Sequence, residues 1–218
     1  MPELANFAKV LGNFYSLPPF GVGILTLALG VIVLIREKRS TTSLTFLGLT
    51  FCGAVWLLCY SLIYSASSEA AAMVWIKVEN AAVTLIPGFT LLFSLSAAGR
   101  LQRLGTLALG VCFLSGIFFS SVFFKGGLII GTFQYPWGYY AHYGPWGTLF
   151  LFFFFAVMVM SLKFFAGEYR RAQTPLQKSV FKFCFSEWES GIWDPWTTFR
   201  PMAFPFILLV LCRFSLFW

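Results

Sequence analysis

Five long apolar runs dominate this chain and restrict what it can fold into. A helix that crosses the hydrocarbon core of a bilayer needs roughly 20 mostly apolar residues. Each run is bounded by glycine, serine, proline or charged residues, as helix ends usually are. The runs predict membrane-spanning helices at about residues 17–35, 43–64, 71–98, 104–124 and 146–165.

The composition agrees with a membrane protein. Hydrophobic residues make up 59% of the chain and charged residues only 11%, whereas a soluble domain has about 25% charged residues. The 28 phenylalanines and eight tryptophans exceed what a soluble core of this size could bury. We therefore predict an all-α, polytopic transmembrane helical bundle. The net charge of +7 does not by itself indicate nucleic-acid binding, because the basic residues lie mainly in the connections between the predicted helices.

The residues after 182 fit this pattern less well. Ser179 to Phe185 is apolar but short, and the acidic, proline-containing SEWESGIWDPW follows it. A last apolar run, residues 202–218, contains Pro205 and Arg213. We expect a poor sixth helix and a better seventh. The predicted organisation is an external tail at 1–16, a transmembrane sensor bundle at 17–182 and an atypical C-terminal tail at 183–218.

Basic residues recur on every second connection between the predicted helices. They are Arg36, Lys38 and Arg39, then Arg100 and Arg103, then Arg170, Arg171, Lys178 and Lys182. The positive-inside rule assigns such connections to the cytoplasm. The N-terminus is then predicted to lie outside, and either five or seven crossings place the following segment inside.

The longest predicted external loop, residues 125–145, is rich in aromatic residues. Its LIIGTFQY stretch is expected to pair as a short strand or hairpin. Aromatic rings with a polar group favour the membrane–water interface, so an aromatic belt is the favoured interpretation and a ligand-facing cap the alternative. His142 is a further sensing candidate in this loop. The candidate residues of this loop are Tyr135, Trp137, Tyr139, His142 and Tyr143.

The third apolar run carries ionisable residues, which are costly inside a membrane and often functional. Ser68 is a predicted N-cap with Glu69 in the first turn. Lys77, Asn80, Thr84 and Pro87 recur at helical spacing as one stripe. Glu79 lies to one side of that stripe and cannot face Lys77 directly. Pro87 removes a backbone hydrogen bond, so a kink is expected there.

Two interpretations of this polar stripe stay open. In the first, Lys77 snorkels to the interface while Glu79 and Asn80 tie neighbouring helices together. In the second, these residues sense a stimulus in the outer part of the membrane. The sensing candidates are Trp75, Lys77, Glu79, Asn80 and Pro87.

Motifs for catalysis are absent from the sequence. It contains no glycine-rich phosphate loop, GxSxG elbow or HExxH helix. Its five cysteines are scattered without a CxxC pair. We therefore predict no catalytic residue, no metal site and no cofactor for this chain.

The stretch VWIKVEN…LIPGFTLLFSLSAAGR resembles the N-terminal seven-helix sensor region of bacterial histidine kinases. The resemblance covers about residues 15–182, and the tail beyond Phe183 departs from it. Its main positions are Trp75, Lys77, Glu79, Pro87, Gly99 and Arg100. Further support comes from Leu34, Arg36, Trp56, Tyr60, Tyr135, Gly138, Tyr143, Gly147, Tyr169, Arg170, Arg171, Pro175 and Gln177.

The resemblance implies a membrane-embedded input module of a bacterial two-component system. Such a module passes a signal from the outer face to a cytoplasmic output domain, which is absent from this chain. The chain itself is therefore not expected to be an enzyme. A full-length relative would be a sensor histidine kinase. The expected location is the bacterial inner membrane. The expected partners are the lipid bilayer, a cytoplasmic kinase or other output domain and a second copy of the chain, but no nucleic acid. The alternative functions are a small transporter or channel subunit and a membrane scaffold protein.

Overall fold

The computed structural model of the chain describes residues 14–37, 39–124, 127–136 and 138–171. The helices are α1 Leu17–Arg36, α2 Thr41–Tyr64, α3 Glu69–Ala97, α4 Gly105–Ser121 and α5 Pro145–Arg171, and the strands are β1 Ile129–Tyr135 and β2 Gly138–Tyr143. Four helices are long and apolar enough to cross a membrane, and α4 is a shorter apolar helix of 17 residues. The predicted all-α membrane class is confirmed, with one small hairpin added.

Several predicted features lie outside the described residues. These are most of the external tail, the sixth and seventh helices and the whole of the atypical C-terminal tail. Two compact units, residues 1–162 and 163–218, divide the chain. Apart from the last turns of α5, everything below belongs to the first unit.

Local capping explains where α3 begins and ends. The Ser68 hydroxyl accepts a hydrogen bond from the Ala71 N–H at 3.3 Å, so the predicted N-cap is confirmed. At the other end, Gly99 has a positive φ of 65°. Its N–H bonds to the Ser96 carbonyl at 3.1 Å, and the Arg100 N–H bonds to the Leu95 carbonyl at 2.9 Å. This pair of bonds is a Schellman motif, which favours glycine because the left-handed conformation is strained for other residues.

Consecutive helices pack against each other in chain order, with α2 between α1 and α3, and α3 between α2 and α4. Small residues make the closest approaches, as expected where lipid offers no hydrophobic driving force between helices. A Cβ on Gly23 would lie 3.0 Å from the Leu58 side chain, and one on Gly30 would overlap Thr50. A Cβ on Gly21 would have no neighbour within 4 Å. Gly23 and Gly30, but not Gly21, therefore lie against α2.

The hairpin lies at one end of the bundle, which we call the hairpin end. β1 and β2 pair antiparallel, as the LIIGTFQY stretch predicts. The Thr132 hydroxyl donates to the Glu69 carboxylate at 2.7 Å, beside the start of α3. Gly138, at the start of β2, packs against the backbone of Tyr64 at the end of α2, where a Cβ would lie 2.8 Å from the Tyr64 Cα. The hairpin is therefore fixed to both helices.

A hydrophobic core fills the hairpin end. Leu128, Ile129 and Ala141 of the hairpin region are buried in it together with Ile63 of α2 and Ile76 of α3. The opposite end holds α2 to α3 through a 2.9 Å hydrogen bond between the hydroxyls of Thr42 and Ser96. The bundle thus has chemically distinct ends.

Aromatic rings join α5 to α4. The Phe118 ring of α4 lies 5.3 Å from both the Phe150 and Phe153 rings of α5. Phe152, which lies between them in sequence, is 72% exposed. The phenylalanines of α5 therefore divide between the contact with α4 and the exposed surface of the helix.

Candidate functional site

A buried carboxylate lies below the hairpin, inside the bundle. Glu79 is 3% exposed and its neighbour Asn80 is 2% exposed. The Asn80 amide donates to the Glu79 Oε2 at 2.8 Å and to the Ile76 carbonyl at 2.9 Å. The indole N–H of Trp56, on α2, also hydrogen-bonds to the Glu79 carboxylate. Ten residues separate Glu79 from the start of α3 at Glu69, and at about 1.5 Å per residue this places the carboxylate roughly 15 Å along the helix.

Aromatic side chains of α2 line one side of this carboxylate. Trp56, Tyr60 and Tyr64 follow each other at intervals of four residues and so share one helix face. The Trp56 and Tyr60 rings are 6.0 Å apart, and the Tyr60 and Tyr64 rings are 5.7 Å apart. Both tyrosines lie close enough to Glu79 for the carboxylate charge to act on their phenols.

The hairpin supplies the other side. The Tyr143 side chain of β2 hydrogen-bonds to Asn80, and its ring lies 6.4 Å from that of Tyr140. We call the set formed by Glu79, Asn80, Trp56, Tyr60, Tyr64, Tyr140 and Tyr143 the Glu79 cluster. It joins α2, α3 and β2 through polar groups.

Tyr143 connects this buried cluster to the surface. Its side chain is 38% exposed, while its hydroxyl reaches inward to Asn80. Burial of the hydroxyl, followed by the charges of Glu79 and Tyr140, raises the pKa of the Tyr143 phenol, and the hydrogen bond with Asn80 only partly opposes this. The phenol therefore stays protonated near neutral pH and retains both donor and acceptor capacity.

No positive charge offsets Glu79 within the described part of the chain. Its hydrogen-bond donors are the neutral side chains of Asn80 and Trp56, and it makes no ion pair with a described lysine or arginine. Lys77 lies two residues earlier, about 200° around the helix, and is half-buried. The expected geometry, in which Lys77 cannot face Glu79 directly, is what the structure shows.

The predicted polar stripe of α3 divides between two environments. Asn80, Thr84 and Pro87 are buried, but Lys77 lies at the margin of the buried face. Glu79, which the sequence places to one side of the stripe, is buried as well, because α2 and the hairpin both cover it.

The remaining candidates on α3 contribute to packing. Trp75 is partly buried against the hydrophobic core at the hairpin end. The helix continues through Pro87, and Gly88 follows it. A Cβ on Gly88 would lie 3.5 Å from the Cys112 sulfur of α4. Gly88 therefore lies at the contact between α3 and α4, and Pro87 beside it is buried.

The aromatic candidates of the loop also separate. Tyr143 belongs to the Glu79 cluster, and Tyr139 packs against the hydrophobic core. Tyr135 is 42% exposed, and His142 is exposed with its ring 4.4 Å from that of Phe133. Trp137 lies outside the described residues.

Sequence reasoning did not assign Trp56, Tyr60, Tyr64 or Tyr140 to a site. Trp56 and Tyr60 entered only as positions of the family resemblance. The four-residue spacing from Trp56 to Tyr64 marks one face of α2, but such a face also suits contact with lipid, so spacing alone does not identify a site. Among the described residues, no group of three or more His, Cys, Asp or Glu side chains could hold a metal ion.

Comparison with known proteins supplies the family. No curated protein matches the chain. A family model, described as the N-terminal 7TM region of histidine kinase, matches residues 19–186, which is most of the chain. A region of this kind is an input region and not itself a catalytic domain, and together with the apolar helices it makes the chain a multi-pass membrane protein. The resemblance found in the sequence is confirmed: the chain belongs to the family of N-terminal seven-transmembrane regions of histidine kinases.

Proposed function

We propose that this chain is the sensory input region of a bacterial signalling protein in the cytoplasmic membrane. The hairpin end faces outward, and the opposite end repositions a cytoplasmic output domain, a histidine kinase. Family membership supports the input role. The recurrence of basic residues after α1, α3 and α5 supports the orientation, because cytoplasmic loops carry the excess of lysine and arginine.

The observation that carries the proposal is the convergence of three elements on two adjacent residues. Trp56 of α2 bonds to Glu79, Tyr143 of β2 bonds to Asn80, and Asn80 bonds to Glu79. A movement of the hairpin relative to α2 or α3 must therefore stretch or break a buried polar contact. A stimulus that binds one arrangement of these elements better than another shifts the equilibrium between them.

α3 provides the connection to the opposite end. It is one helix of 29 residues, which at about 1.5 Å per residue is roughly 43 Å long. Glu79 and Asn80 lie in its first half, while Ser96, near its end, contacts Thr42 of α2. A tilt or rotation that starts at the Glu79 cluster is thus carried to the loop that holds Arg100 and Arg103.

A chimeric kinase tests this proposal. The whole chain replaces the native input region of a characterised histidine kinase, and autophosphorylation is measured in lipid nanodiscs. We expect Glu79→Gln to change the basal rate by about fivefold or more, the lower range of allosteric couplings. Lys77→Gln, on the same helix but outside the Glu79 cluster, is the matched control and should stay close to the unmodified chimera.

Unchanged kinase activity would contradict the proposal. If Glu79→Gln and Tyr143→Phe both yield folded chimeras with the autophosphorylation rate of the parent, the Glu79 cluster does not communicate with the opposite end. Folding is checked by monodisperse elution in detergent. Tyr143→Phe keeps the ring and removes only the hydroxyl, so it tests the same contact with minimal disturbance.

A further inference from the structure

We infer that the Glu79 cluster is a binding site for a small organic cation with an alkylammonium head group, entered from the hairpin side. This inference deepens the proposed function, on which it rests for its physiological consequence, by naming the class of stimulus. The binding itself is a property of the folded chain and is measurable without any output domain.

The charge of the Glu79 carboxylate favours a cationic ligand. Glu79 is buried and receives hydrogen bonds only from the neutral groups of Asn80 and Trp56 within the described part of the chain. A buried carboxylate without a positive partner is unfavourable, and a cation brought to it offsets that cost. Lys77 does not supply this charge, so a cation that enters the site is the complement that we infer.

The aromatic rings of the Glu79 cluster also favour a cation. Trp56, Tyr60 and Tyr64 from α2 and Tyr143 from β2 lie near the carboxylate on two sides. Tyr140 lies beside Tyr143, and neighbouring rings within each element are 5.7 to 6.4 Å apart. Aromatic faces attract cations within about 6 Å, and tryptophan and tyrosine are the usual walls of sites for quaternary ammonium groups. An anion or a neutral apolar molecule would gain nothing from the carboxylate at their centre.

The Glu79 cluster has few oxygen ligands for a metal ion. A metal ion such as Ca²⁺ takes six to eight oxygen ligands. Within the described residues, no group of three or more acidic, histidine or cysteine side chains is present, and Glu79 is the one carboxylate of the cluster. An ammonium group needs only one carboxylate and polarisable walls, so the chemistry favours an organic cation over a metal ion.

The hairpin side of the Glu79 cluster is exposed to the surroundings. Tyr140 is 36% exposed and Tyr143 is 38% exposed, whereas Glu79 is 3% exposed. The exposed residues lie on β2, so the cluster runs from the surface of the hairpin inward to the carboxylate. A cation bound there would contact α2, α3 and β2 together and hold the hairpin against both helices.

The experiment measures binding to the whole chain in nanodiscs of phosphatidylglycerol, a lipid without an ammonium group. The probes are choline and tetramethylammonium, with 3,3-dimethylbutan-1-ol as the neutral isostere of choline and sodium chloride as the ionic-strength control. Binding is followed by isothermal titration calorimetry and by the shift in Tm. We expect both ammonium compounds, but neither control, to bind and to raise Tm.

Variants locate the site. Glu79→Gln should weaken choline binding by at least about tenfold, the equivalent of 1.4 kcal/mol, and Trp56→Leu should weaken it by a smaller factor. Lys77→Gln should leave it unchanged. Nanodiscs of phosphatidylcholine form a further arm: loss of apparent choline binding there identifies lipid head groups as the source of the cation, and retained binding identifies a free solute.

Three results would overturn the inference. The neutral isostere could bind as well as choline, no ammonium compound could bind, or folded Glu79→Gln protein could bind choline like the parent. The first two need no variant, so they hold even if a variant fails to fold. If choline does not bind but Glu79→Gln still alters the chimeric kinase, the cation site is wrong and the proposed function stands. If choline binds and the chimera responds to neither choline nor the variants, the proposed function fails alone.

Discussion

The two halves of α3 satisfy their polar side chains in opposite ways. In the half near the hairpin, Glu79 and Asn80 bond to side chains of α2 and β2. In the other half, the buried hydroxyls bond within the helix: that of Thr90 donates to the Ile86 carbonyl at 2.8 Å and that of Ser94 to the Leu91 carbonyl at 2.9 Å. Ser96, at the end of this half, is the exception, since it bonds to Thr42 of α2.

This difference determines which polar side chains lose their hydrogen-bond partners when a neighbouring element moves. A hydroxyl that bonds to its own helix keeps its partner wherever the neighbouring helix moves. A carboxylate that bonds to a different element loses its partner when that element moves, at the cost of leaving a buried polar group unsatisfied. The half of α3 near the hairpin is therefore sensitive to the arrangement of its neighbours, while the other half, apart from Ser96, packs through apolar side chains and keeps its hydroxyls bonded within the helix.

Placing a charge in the apolar half should have the largest effect. Leu91 is 0% exposed. We expect Leu91→Glu to lower the free energy of unfolding by about 3 kcal/mol, the cost of an acidic residue at the centre of a membrane helix. The measurement is unfolding by SDS titration in mixed micelles. Leu91→Met is the control and should change little, and equal stability of Leu91→Glu would abolish the distinction between the halves.

Detaching the hairpin should have the next largest effect. Gly138 has a φ of 140°, and a Cβ there would lie 2.8 Å from the Tyr64 Cα. We expect Gly138→Ala to lower the free energy of unfolding by about 2 kcal/mol through backbone strain and to speed proteolysis of the hairpin. Gly131→Ala is the matched control, because its nearest neighbour would be 3.9 Å away. Equal protease resistance of both variants would show that the hairpin does not rest on α2 as described.

Removing the amide at the centre of the Glu79 cluster should have a smaller effect. Asn80→Leu leaves the Glu79 carboxylate and the Tyr143 hydroxyl without their shared partner, and we expect a loss of about 1.5 kcal/mol. The double variant Glu79→Leu with Asn80→Leu should lose less than Asn80→Leu alone, because no charge is then left buried. A double variant less stable than the single one would show that the polar contacts are net stabilising. Both are compared by the same SDS titration.

Single hydroxyls should matter least and should still distinguish the two kinds of contact. The Ser61 hydroxyl donates across elements to the Ser16 carbonyl at 2.9 Å, whereas that of Thr90 bonds within α3. Ser61→Ala should cost about 0.6 kcal/mol, the average for interhelical hydrogen bonds in membranes. Thr90→Val should cost less than that. The reverse order in the SDS titration would argue against the contrast.

The sequence predicts the helices well and the site only in part. The apolar runs, the cap at Ser68 and the glycine after α3 are local signals, and local signals specify where helices lie. The position of Glu79 is not local. Lys77, Glu79 and Asn80 fall within four residues and spread around most of the helix circumference, so periodicity cannot tell which of them faces the interior. That choice is made by α2 and by a hairpin that begins 50 residues after Glu79 in the chain.

The Schellman motif at Gly99 fixes the length of α3. Its two backbone hydrogen bonds close the last turn, so the helix cannot lengthen or unwind there without losing both. The glycine that ends the helix thereby fixes where the last turn of α3 stops and where the chain turns toward Arg100. In the proposed function, a substitution at Gly99 should therefore weaken transmission from the Glu79 cluster to the opposite end while leaving the hairpin end intact.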